Sequence, residues 1–179
     1  MQLRYLKIIL IISIIISSCS KLFYNSEGGV RPKKSKFLFS KSNFSLHTND
    51  KIDTAVLYLR IERNMALSLG RTGNAYKFYR FYKDGRFQLS DSYENFENHI
   101  KFQNINSGII GYYKLRNDTL RCEFFAPTNG GEYVLIDGVI KNGIIILTKM
   151  YPRHNGGIIK LNDSLIKTSI NTLSINPNW

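Results

Sequence analysis

Tight turns set the architecture of this chain before any other feature does. Asp84-Gly85, Arg116-Asn117-Asp118 and Lys141-Asn142-Gly143 each separate two runs rich in aromatic and β-branched residues. Asp-Gly and Asn-Gly favour the positive φ that a short hairpin turn needs if its twist is to match the strands it joins. Connections this short make sequential strands pair antiparallel. The flanks have the right texture: Ala55, Leu57, Leu59 and Ile61 alternate with Val56, Tyr58 and Arg60, the period of two that marks a strand with one inward face. Strands are expected over 55–61, 76–82, 86–89, 109–115, 119–125, 132–140 and 144–151. A last hairpin over 157–167 is expected to turn at Asn162-Asp163. Pro127 and Pro152 fall in connections, where they cost no ladder hydrogen bond. Eleven Tyr and eleven Phe add the aromatic weight that strands favour. The fold class is therefore all-β, an antiparallel up-and-down meander.

One element recurs along it. Gly111-Tyr112-Tyr113-Lys114-Leu115-Arg116-Asn117-Asp118-Thr119-Leu120 is echoed by Gly157-Ile158-Ile159-Lys160-Leu161-Asn162-Asp163-Ser164-Leu165, and Gly138-Val139-Ile140-Lys141 opens a looser copy. The intervals are too uneven for a solenoid or a propeller, so the unit is a hairpin within one sheet. Each opening Gly is expected to relieve crowding where the sheet bends. Together with Phe81-Tyr82-Lys83-Asp84-Gly85-Arg86-Phe87, the element at 111–120 resembles small bacterial lipocalin-like domains, over about residues 55–165. The resemblance implies a barrel, closed or partly open. A barrel of about eight strands has an interior that side chains fill or that holds one small ligand.

The N-terminus speaks to location. Residues 1–7 carry Arg4 and Lys7 and no acid, residues 8–16 are apolar except for Ser13, and Ile16-Ser17-Ser18-Cys19 follows. A basic start, a short apolar run and small residues before a cleavage point describe a secretory signal peptide. The run is far shorter than the ~20 apolar residues a membrane-spanning helix needs. The branched aliphatic three residues before Cys19, with the two serines, resembles the lipobox of bacterial lipoproteins, which implies lipidation of Cys19 as the new N-terminus. The expected organisation is a signal peptide over 1–18, a lipid-anchored basic flexible linker over 19–50, the β domain over 51–168 and a C-terminal tail over 169–179. The expected location is the bacterial cell envelope, lipid-anchored in the outer membrane.

Removing Arg4 and Lys7 with the signal takes the formal charge from +12 to +10. Between residues 21 and 41, Lys21, Arg31, Lys33, Lys34, Lys36 and Lys41 face the single acid Glu27. Such a stretch beside a lipid anchor is expected to lie along an anionic membrane surface as a solvated tether. No nucleic-acid motif is visible, and nucleic acid is not an expected partner. With Cys19 lipidated, Cys122 is the one remaining thiol, and its position between Leu120 and Phe124 marks it as a small buried hydrophobe.

Catalytic and metal constellations are not found. His47, His99 and His154 have no carboxylate or second His at ligand spacing, and there is no Gly-x-Ser-x-Gly. No cofactor and no enzymatic activity are expected. Glu123 alternates with Arg121 and is assigned to the solvent face. Asp137 shares a parity with Tyr133, Leu135 and Val139 and is expected to point inward, with Arg80 as partner, since a buried carboxylate must be paired. The expected function is a non-enzymatic binding module for a small apolar or amphipathic ligand, lined by Tyr76, Phe78, Arg80, Phe87, Tyr113 and Asp137. The alternative is a solid-core interaction lipoprotein whose outer face meets an envelope partner.

Overall fold

The computed structural model describes residues 21–41, 51–66, 72–92, 104–154 and 156–171. Ten strands lie among them: β1 (Leu22–Tyr24), β2 (Val30–Pro32), β3 (Val56–Ala66), β4 (Thr72–Phe81), β5 (Arg86–Ser92), β6 (Ile109–Arg116), β7 (Thr119–Ala126), β8 (Glu132–Lys141), β9 (Ile144–Pro152) and β10 (Ile159–Asn171). From β3 to β10 each strand pairs antiparallel with the next. β10 returns to β3, with Ile166 opposite Leu59 and Lys167 opposite Tyr58. The result is a closed eight-stranded antiparallel barrel, the up-and-down meander that the turns imply. β1 and β2 form an additional hairpin, joined to β6 by a parallel bridge from Val30 to Ile109.

The turn chemistry is visible in the backbone. Gly85 sits at φ 83°, Asn117 at 54°, and Asn142 and Gly143 at 50° and 78°. These are left-handed conformations that Gly and Asn adopt most cheaply. Gly111 and Gly138 relieve crowding as expected: a Cβ on Gly111 would overlap the Glu123 carbonyl and the Phe87 ring, and one on Gly138 would lie 2.9 Å from the Ile146 carbonyl oxygen. Gly157, the third copy, has open space around it.

The barrel interior is apolar and aromatic. Phe81 is its hub, with ring centroids 5.0 Å from Tyr113, 5.5 Å from Tyr58 and 6.1 Å from Phe87. Phe87 in turn meets Phe124 edge-on at 6.4 Å. Leu120, Cys122, Ile136, Ile140, Ile145, Leu147 and Leu165 complete the same cluster. Two of the interior tyrosines place their hydroxyls on backbone groups: Tyr113 Oη donates to the Tyr82 carbonyl at 2.7 Å, and the Asp53 N–H donates to Tyr58 Oη at 2.8 Å.

Three expectations are corrected. The stretch read as a flexible linker is folded over 21–41: it holds β1, β2 and a 3-10 turn at Phe39–Lys41. Phe37 is buried there against Val30, Ile110 and Phe125, which is the apolar area that pins it. The last hairpin is instead the single strand β10, with register shifts between Lys160 and Asp163 and between Lys167 and Asn171. Asn162-Asp163 therefore marks a bulge, and Asp163 faces Arg60 on β3 at 3.1 Å. The strand also runs through 169–171, which were assigned to the tail. Cys19, the signal segment and residues 172–179 lie outside the described residues.

The glycine contacts give a direct test. Gly111→Ala is expected to lower stability by about 1–3 kcal/mol, the usual cost of forcing atoms into a packed site. Gly157→Ala should leave the urea midpoint essentially unchanged. Equal midpoints for the two variants would show that the barrel does not pinch at Gly111.

Candidate functional site

The interior is where a lipocalin-like ligand would sit, and of the six expected lining residues the structure places Phe87 and Tyr113 there. Their exposures are 0% and 1%, and Phe81 and Tyr58 are both at 0%. A hollow large enough for a ligand would leave ring surface accessible, and these rings have almost none. Among the described side chains, they pack the part of the interior that they line.

Tyr76, Phe78, Arg80 and Asp137 are not on the inner face. The β4 residues in the interior are Tyr79 and Phe81, so Phe78 and Tyr76 pack with Leu57 and Leu59 in a separate cluster on the outside. Arg80 shares that outer parity and lies over the Tyr82 ring at 5.3 Å. On β8 the interior takes Val134 and Ile136, which turns Asp137 outward. The expected Asp137–Arg80 pair does not form, because the two residues belong to β8 and β4, which are not neighbours in the barrel. Asp137 is held instead by its cross-strand neighbours, Arg121 Nε at 2.7 Å and Lys149 Nζ at 3.1 Å. Burial opposes its ionisation, but the hydrogen bonds and charges of Arg121 and Lys149 outweigh that and hold its carboxyl below the usual range. Cys122 is buried as expected; desolvation first, and then the Asp137 charge, push its thiol well up, so it stays protonated.

The polar feature the sequence did not reveal lies on the outer face of β7. Glu123 is fully buried, at 0% exposure. One carboxylate oxygen accepts the backbone N–H groups of Leu38 and Phe39 at 2.7 and 3.0 Å. The other accepts from the Arg153 guanidinium at 2.7 Å, and the same nitrogen of Arg153 donates to the Lys36 carbonyl at 2.7 Å. The Arg153 guanidinium also lies over the Tyr133 ring, 4.3 Å from its centroid. Tyr133 Oη accepts the Lys36 N–H at 2.7 Å and donates to the Lys34 carbonyl at 3.2 Å. A buried carboxylate on the barrel thus clasps the segment that carries the basic cluster. Its assignment to the solvent face is corrected: the face is the outer one, but residues 37–39 cover it.

A cleft of about 540 Å³ opens beside this clasp. Its walls come from three places: Lys21 with Pro32, Lys33, Lys34 and Lys36; Gly131, Glu132 and Tyr133 with Phe125; and Arg153 with His154. Lys21, Lys33, Lys34 and Lys36 carry no ion pair among the described residues, whereas Arg31, counted with them in the sequence, is buried and donates to the carbonyls of Asn106 and Gly108 at 2.6 and 3.0 Å. Among the described residues no three His, Cys, Asp or Glu side chains are grouped to hold a metal. The signal for the clasp was present in Cys122-Glu123-Phe124-Phe125-Ala126, a lone acid inside an apolar run where a solvated carboxylate is out of place. What hid it was that its partners lie some thirty and eighty-five residues away.

Two outcomes follow from these ion pairs. A carboxyl whose folded pKa lies below its unfolded value, about 3.9 for Asp, stabilises the fold above that value and ceases to do so as pH falls through the folded one. Asp137→Asn should therefore be less stable than wild type at pH 7, and the gap should close in acid; thermal melts from neutral pH to about pH 2 measure it. Glu123→Ala leaves Arg153 without its carboxylate and two N–H groups without an acceptor. Residues 33–41 should then detach, and trypsin should cut after Lys33, Lys34 and Lys36 at least tenfold faster, as expected of a segment with about 2 kcal/mol or more of docking energy removed. Comparison of the chain with protein-family models, with curated proteins and with solved structures finds no match in any of the three.

Proposed function

We propose that this chain is a non-enzymatic lipoprotein of the cell envelope, anchored through Cys19, whose solid barrel acts as a scaffold for its outer surface. The observation that carries this reading is the filled interior. Tyr58, Phe81, Phe87 and Tyr113 meet one another ring to ring with exposures of 0–1%. Small-molecule sites need a concave space of about 300 Å³ or more, and these contacts leave none around Phe81. The function then falls to what the barrel displays: the clasped basic segment and the cleft beside it. The envelope location rests on the basic start, the apolar run of residues 8–16 and the lipobox-like Ile16-Ser17-Ser18-Cys19.

Both halves of the reading are testable. Titration with benzene, a neutral apolar probe, followed by NMR of the Phe81 and Tyr113 rings, is expected to leave those signals unmoved. Saturable one-to-one shifts would give the barrel a ligand cavity and restore the binding-module reading. Metabolic labelling with a radioactive fatty acid is expected to mark the wild-type chain and not Cys19→Ala. Label persisting in the variant would remove the anchor.

A further inference from the structure

The basic cluster sits on folded chain rather than on a solvated tether, and that changes what its charges can do. We propose that the cleft between Lys21, Lys33, Lys34, Lys36, His154 and the Tyr133 ring is a preformed site for phosphate-bearing headgroups of an anionic lipid surface. The proposal deepens the lipoprotein reading and rests on it for the membrane it names.

The chemistry of the walls fits such a group. Lys21, Lys33, Lys34 and Lys36 carry no ion pair among the described residues, and they gather around one opening of about 540 Å³ whose lining holds a single acid, Glu132, with its carboxylate accepting from Thr128 Oγ1 at 2.7 Å. Lysine is a compact point charge with three donors, suited to phosphate oxygens presented in no fixed orientation. The floor is apolar, with Pro32, Phe125 and the Tyr133 ring to receive glycerol and acyl carbons. The basic wall is held in place. Glu123 and Tyr133 grip the backbone of residues 34–39, and the Lys33 N–H donates to the Lys21 carbonyl at 2.9 Å while the Lys21 N–H donates to Gly130 at 3.2 Å. Charges fixed on a scaffold lose less side-chain and backbone freedom on binding than the same charges on a free chain.

Chain length supplies the occupant. Lys21 is two residues from Cys19, a reach of about 7 Å at full extension. With acyl chains on Cys19, the wall of the cleft cannot lie far from the headgroup layer. The same region leaves Tyr24 exposed at 61%, a residue type enriched at membrane–water interfaces because one end is apolar and the other wet, and Phe23 and Leu38 exposed at 47% and 57% as apolar surface beside it.

A folded site and a charged tether make opposite predictions. The chain from residue 19 onward, with Cys19→Ala, contains every described element and carries no acyl group. It should co-sediment with vesicles of phosphatidylglycerol and phosphatidylcholine, not with phosphatidylcholine alone, and release as salt rises. Lys33→Gln, Lys34→Gln and Lys36→Gln combined should weaken binding about tenfold or more, from the ordinary worth of juxtamembrane lysines. The deciding variants keep every lysine. Glu123→Ala raises the net positive charge yet loosens the segment, and Tyr133→Phe removes only the hydroxyl that holds Lys34 and Lys36. Both should bind several-fold more weakly than wild type. Binding by either folded variant at or above the wild-type level would overturn the site in favour of a tether; Tyr133→Phe decides the matter should Glu123→Ala fail to fold. Wild type that ignores anionic vesicles, or that takes glycerol phosphate or inorganic phosphate one-to-one without binding vesicles, would also overturn it. Fatty-acid labelling at Cys19 reads the anchor separately, so the two readings fail independently.

Discussion

The surface of this protein is organised by one buried carboxylate. Glu123 lies on the outer face of a barrel strand, where a charge would ordinarily meet water, and it is covered completely. Taking an isolated carboxylate out of water is prohibitively costly, so its position is tenable only while its oxygens have partners. The Leu38 and Phe39 N–H groups and the Arg153 guanidinium are those partners. The dependence runs both ways: the carboxylate needs the segment over it, and the segment needs the carboxylate to satisfy two backbone donors. Phe37, packed edge-on to Tyr133 at 5.0 Å and tilted against Tyr112 at the same distance, adds the apolar area that makes the cover tight. The basic cleft depends on this contact, because it turns residues 33–39 from chain into wall.

The interior obeys a different logic. An eight-stranded barrel has a lumen about the width of a few side chains, and here large rings occupy it from several strands at once. Aromatic pairs in tilted and edge-on arrangements add attraction beyond the area they bury. The polar ends of Tyr58 and Tyr113 reach backbone groups near the barrel ends, so the rings can be buried without stranding a hydroxyl. Filling the lumen this way ties opposite walls together through side chains as well as through the ladder.

Much of the barrel was legible in the sequence, and the reasons differ by element. The turns at Asp84-Gly85, Asn117 and Asn142-Gly143 were readable because positive φ is a local demand that few residues meet. Cys122 was readable because it alternates cleanly with Leu120 and Phe124. β4 was not: Tyr76, Phe78 and Tyr82 compete with Tyr79 and Phe81, and Lys77 and Arg80 give each face one charge. With both parities aromatic, a period of two cannot choose the inner face, and a choice in error reverses every side chain. Asn162-Asp163 misled for a related reason, since residues that favour turns also favour the bulge that lets β10 follow the curvature of the closing barrel. The clasp was illegible because its partners are remote in sequence and belong to a stretch whose composition suits a linker.

The closing seam of the barrel bears on how the chain is made. Every pairing from β3 to β10 joins sequence neighbours and can form as each hairpin is completed, with one exception. Tyr58 must meet Lys167 across about 110 intervening residues, and the loss of chain freedom in that long-range step is what slows the folding of such topologies. Until β10 is available, β3 and β9 are open edges and the aromatic plug has no finished container. The timing of closure is thereby set by the last strand made, because the completed barrel cannot form while β10 is still to come.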